Sequence, residues 1–147
     1  MATATLTSTA AASGVPPRAV HAGVNSISAT LQQSPCEASA TTFLIGKIPS
    51  GATILDVIHK TSYPGGTGNS DIGITTEATS SGTESLSAFT SALAKNTQGR
   101  ATLGVPYQVD PSKTVTAGYE TVKVTVTPAS ATTSLIINTT VLYTMDE

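Results

Sequence analysis

The chain has 147 residues, the size of one domain whose folding removes roughly 70% of the unfolded surface from water. Charged residues make up only 11%, the net charge is -2 and the isoelectric point is about 5.6, which argues against a basic field for nucleic acid or an anionic membrane surface. Hydrophobic residues reach 39% with no tryptophan, and the polar remainder is Thr and Ser more than Lys, Glu or Asp, the composition of β-structure under a hydroxyl-rich exterior.

Residues 1–17 are mostly Ala, Thr and Ser and close on Gly14-Val15-Pro16-Pro17. They carry too little bulky apolar surface to offset the entropy of ordering, so they read as an extended N-terminal arm, either frayed or ordered only against a neighbouring subunit. The stretch lacks the basic and continuous apolar regions of a secretory signal, and no run reaches the length of a bilayer span, so a cytoplasmic origin is expected. Cys36 is the single cysteine, which leaves no internal disulfide. With no His or basic residue near it in sequence, it reads as an inert thiol.

Residues 18–147 form the folded domain. Val20, Val24, Ile27 and Leu31, spaced through polar residues, predict an extended segment with an irregularity at Gly23. Ala40 to Ile48 is a second strand, and Pro49-Ser50-Gly51 turns it into a third, Ala52 to Ser62. There Ile54, Leu55, Val57 and Ile58 recur on a period near two before Tyr63-Pro64-Gly65-Gly66 stops the run. Asn69 to Thr76 is a brief strand with Ile72 and Ile74 on one face. Between Ser81 and Arg100, Leu86, Phe89 and Leu93 fall at i, i+3 and i+7 behind a capping-box pattern, Ser81-Gly82-Thr83-Glu84. That spacing predicts a short helix ending near residues 96–99, with a long loop as the alternative. Ala101 to Val109 resumes as strand, confined to an edge by Pro106. Val122, Val124 and Val126 alternate with polar neighbours, as do Leu135, Ile137, Thr139, Val141 and Tyr143, and the polar turn Pro128 to Thr133 between them predicts an antiparallel hairpin.

Seven or eight strands with turns between them and no alternating helices define an all-β fold: a single β-sandwich, jelly-roll-like, with one short helix or long loop.

Chemistry-bearing residues are few. His21 and His59 are the only histidines, and Asp56, three before the second, falls on the opposite side of a strand from it. No nucleophile elbow accompanies them. Two histidines and one cysteine without paired spacing do not read as a zinc site. PGGTGNS lacks the lysine and following helix of a phosphate loop, and Asn69 with Asp71 offers two oxygens where calcium takes six to eight. Asn138-Thr139-Thr140 matches the glycosylation triplet but lies mid-strand. The expectation is a non-enzyme with no catalytic residue, metal or cofactor. Aromatic residues are scarce, and Tyr63, Tyr107, Tyr119 and Tyr143 are candidate partner contacts, with the filling of core edges as the alternative role. A hydroxyl-rich exterior loses little side-chain entropy when covered, which suits packing against copies or a larger assembly.

"RAVHAGVNSISATLQ" followed by "TTFLIGKIPSGATILDVIHKTSY", then a Gly-rich turn, a short "DIGI" strand and a β-rich tail, resembles small virion proteins of tailed bacteriophages. The sharpest part of the likeness is Lys47 to Val57, and it extends loosely over residues 18–143. The resemblance implies a non-enzymatic jelly-roll subunit, a cement (decoration) protein on the capsid exterior or another minor head component. The expected partners are the major capsid protein and further copies of the chain, as a homotrimer, while the low charge leaves no nucleic-acid or membrane partner expected. A receptor- or glycan-binding module of a head or tail fibre, gripping sugar with PGGTGNS and residues 79–100, is the alternative.

Overall fold

The computed structural model describes residues 5–12, 23–34, 40–64, 67–75, 84–94, 99–100, 106–109 and 119–145. In chain order the elements are β1 (Thr5–Thr7), α1 (Thr9–Ala12), β2 (Val24–Gln33), β3 (Thr41–Pro49), β4 (Ala52–Ser62) and β5 (Gly68–Thr75), then β6 (Glu84–Ala94), β7 (Gly99–Arg100), β8 (Tyr107–Gln108), β9 (Tyr119–Pro128) and β10 (Leu135–Met145). His21, Cys36, Ser81 to Thr83 and the expected strand positions Leu103 and Val105 lie outside the described residues.

Two sheets form. One runs β1-β3-β9-β5-β6; the other runs β2-β10-β4-β7, with β8 pairing β4 further along. The short β7 meets Ile58 and His59 and β8 meets Thr53 and Ile54, so together they fill the place of one strand. From β2 onward the chain steps from one sheet to the other at each connection except between β5 and β6, which pair directly, and between β7 and β8. This strand order, β2-β10-β4-β7/β8 facing β3-β9-β5-β6, is that of a jelly roll.

Two expectations are corrected. The last two strands do not form a hairpin: β9 lies between β3 and β5, and β10 lies between β2 and β4 in the opposite sheet. Alternation specifies which face of each strand is apolar, not which strand sits beside it. Residues 129–134 carry the chain across, held by the Ala129 amide donating to Thr67 O at 2.7 Å. The region given to a helix is the eleven-residue strand β6, paired antiparallel with β5. Register shifts between Ser70 and Ile72 and between Ile72 and Ile74 leave extra residues in β6, so its side-chain alternation loses phase and imitates a helical spacing.

The core is built by alternation. Phe43, Ile45, Ile48, Val122, Val124, Val126, Ile72 and Phe89 project inward from one sheet, and Ile54, Val57, Leu135, Ile137 and Val141 from the other. Each such side chain contributes roughly 1.5–3 kcal/mol when fully buried. In β4 the register with β10 shifts between Leu142 and Tyr143: Asp56 faces Leu142 and Ile54 faces Tyr143, so Leu55 is the extra residue of a bulge. The shift accounts for the paired aliphatics of the ILDVI stretch, since Ile54 and Val57 point into the core while Leu55 and Ile58 remain 38% and 39% exposed. At the β3–β4 turn Gly51 has a φ of 83°, a conformation that disfavours any side chain.

Part of the N-terminal stretch lies on the chain's own sheet. Thr5–Thr7 pair parallel with Thr42–Leu44 of β3. The Ser8 amide donates to Leu44 O at 2.9 Å and its hydroxyl donates to Ile45 O, while the Ala11 amide donates to Ser8 Oγ at 3.0 Å. Ser8 thereby closes the first turn of α1, and the buried Ala11 seats that turn against β2 and β3.

Candidate functional site

Register brings a polar cluster into the dry interior. His59 follows Val57 in the inward phase of β4 and faces Thr139 of β10. Its Nδ1 lies 2.8 Å from Thr139 Oγ1, and its Nε2 lies 2.6 Å from Thr61 Oγ1 and 3.3 Å from Ser70 Oγ. Thr61 and Ser70 share a further hydrogen bond of 3.0 Å, and because Ser70 belongs to β5 the cluster ties the two sheets together. His59 is 1% exposed, and desolvation lowers its pKa from 6.5 to about 4, so the ring is neutral near pH 7. Asp56 projects from the opposite face of β4, as its spacing required, and no group of three His, Cys, Asp or Glu gathers as a metal site among the described residues. The cluster's hydroxyl partners were hidden in sequence among many Thr and Ser. Their inward phase on β4, β5 and β10 was the available signal.

The tyrosines divide. Tyr63 and Tyr143 lie within the core, and burial raises the Tyr143 phenol above its ordinary value. Tyr107 and Tyr119 are half-buried. The Tyr107 ring meets Phe89 edge-on at 5.6 Å between centroids, and its hydroxyl donates to Glu120 Oε1 at 3.4 Å. Lys47 Nζ lies 4.9 Å from the centre of the Tyr119 ring on the outer face of the β3–β9 pair. The four therefore do not form one patch.

A more continuous surface is the outer face of β2, β10 and β4. Register sets Ser28 beside Thr140 beside Ile58, then Thr30 beside Asn138 beside Lys60, then Gln32 beside Ile136 beside Ser62. Ser28 and Thr140 share a 2.8 Å hydrogen bond, and Asn138 Nδ2 donates to Thr30 Oγ1 at 3.0 Å. Ile136 and Ile58 stand in this field at 38% and 39% exposure. Side chains already bonded to one another across strands have little freedom left to lose, so the face can be covered at low cost.

The fold is one found in phage capsids. A chain of the Ralstonia phage GP4 capsid superposes with a TM-score of 0.62 at 14% identity, covering 98% of this chain and 99% of that one. A chain of the cyanophage Pam1 capsid asymmetric unit superposes with a TM-score of 0.61 at 18% identity, covering 87% of this chain and 91% of that one. No family model and no curated protein sequence matches the chain.

Proposed function

We propose that the chain is a phage capsid cement, or decoration, protein: a non-enzymatic subunit, made in the host cytoplasm, that sits on the capsid exterior and stabilises the head by bridging major capsid subunits. The observation that carries the reading is the end-to-end match of the fold to a chain from a phage capsid. The low-charge face of β2, β10 and β4 supports it, because a surface with few charges is cheap to desolvate against a shell. Copies would cluster as trimers at symmetry or quasi-symmetry axes, with the half-buried Tyr107 and Tyr119 as aromatic contacts at their margins.

The mechanism is burial. A contact of about 1,600 Å², repeated over a shell, holds by multiplicity where a single contact would open. The test is addition of the recombinant chain to capsids stripped of minor proteins. Saturable binding and a raised shell-melting temperature support the reading. Binding to host cells or to a glycan array, with none to capsids, would replace it with the receptor-binding alternative.

A further inference from the structure

Sheet edges invite pairing with other chains unless they are short, charged, bulged or covered. Three of the four edges of this sandwich are managed in those ways. The β3 edge carries β1. The β6 edge is broken by two register shifts against β5. The edge beyond β4 is occupied by β7 and β8, two residues each. The fourth edge is β2, which is neither short, charged nor bulged, and among the described residues outside the sheets only the four-residue α1 packs near it. Its sequence VNSISATLQQ holds no charge and no proline, its ten residues pair with β10 without a single irregularity, and among the described residues no strand is paired to its outer side. Along the same strand Ile27 and Leu31 are only half-buried at the seam between the sheets, and Val24 is 61% exposed.

We propose that β2 pairs antiparallel with β2 of a second copy of this chain, about a two-fold axis near Ser28 and Ala29, joining the two β2-β10-β4 sheets into one. A two-fold axis sets every residue near it against its own kind, so any charge in mid-strand would face a like charge across about 5 Å. β2 satisfies that condition along its whole length. Its outward residues Ser26, Ser28, Thr30 and Gln32 are hydroxyls and an amide that tolerate either self-pairing register. The same pairing draws Ile27 and Leu31 of the two copies towards each other across the seam. The contact goes beyond the cement reading and needs no capsid: in a shell it would link one cluster of copies to the next.

The test is sedimentation of the purified chain over a wide concentration range, beside Ser28→Lys on β2 and Ser91→Lys on the exposed side of β6. Wild type and Ser91→Lys should show the same associated mass, and Ser28→Lys should show half of it, whether that means dimer to monomer or hexamer to trimer. Hydrogen exchange of wild type gives a second readout that no variant can confound, with β2 amides slowing as concentration rises while β6 amides do not. Equal masses for wild type and Ser28→Lys, or β2 exchange independent of concentration, would overturn the proposal even if capsid binding stood.

Discussion

Acid should loosen this sandwich through His59. In the unfolded chain the imidazole titrates near 6.5, whereas in the folded protein desolvation holds it at about 4. The fold therefore favours the neutral ring, and the stability this represents is complete above pH 6.5, declines as pH falls, and is lost once pH reaches about 4. The full difference is about 2.5 pKa units at 1.36 kcal/mol each, or about 3.4 kcal/mol, of which about 2 kcal/mol is already gone at about pH 5. For a chain of this size that corresponds to a fall of about 8 °C in melting temperature. The assay is thermal unfolding of wild type and His59→Gln from neutral pH down to about pH 4.5. The variant is less stable at neutral pH because it breaks the bonds to Thr139, Thr61 and Ser70, but it cannot take up the proton, so the gap between the two curves should narrow by about 2 kcal/mol by about pH 5. Parallel curves over that interval would refute the reasoning, since His59 would then titrate alike in both states.

Phe89→Ala should cost about 3–5 kcal/mol in chemical denaturation, because the ring is fully buried and packed on Tyr107. Gly51→Ala should lower stability by about 1–2 kcal/mol in the same assay, from a positive φ that alanine disfavours. Gly68→Ala should be at least as harmful by calorimetry, for a different reason: its new Cβ would stand 2.6 Å from Thr127 O and 2.9 Å from the Pro128 Cα, neither of which can rotate away. Ser8→Ala should cost about 1–2 kcal/mol and speed amide exchange in α1 and β1 more than in β10, since it removes both the hydrogen bond to Ile45 O and the acceptor for the Ala11 amide.

How much of this was legible in sequence depended on whether a feature is local. The bounds of β4 and the inward faces of β9 and β10 follow from period two, which each strand carries in itself. Partnership is not local. Val122 to Val126 and Leu135 to Tyr143 alternate equally well whether they face each other in a hairpin or sit in opposite sheets, and the jelly roll chooses the second. β6 failed for a related reason, because its alternation is interrupted by irregularities that only its pairing with β5 reveals. The cluster around His59 combines residues from β4, β5 and β10, up to 80 positions apart, and becomes visible only once register is known. The Ser8 cap was read as part of an arm because its acceptor, Ile45 O, lies 37 residues away.

The placement of β9 and β10 bears on synthesis. Each is an inner strand, one in each sheet, yet both emerge from the ribosome after the strands they join. Until they arrive, β3 has no neighbour to join it to β5, and β2 has none to join it to β4, so the nascent chain carries several unsatisfied strands at once. Closure of both sheets waits for β9 and β10, which makes a chain truncated before β9 a candidate for aggregation and not a smaller working domain.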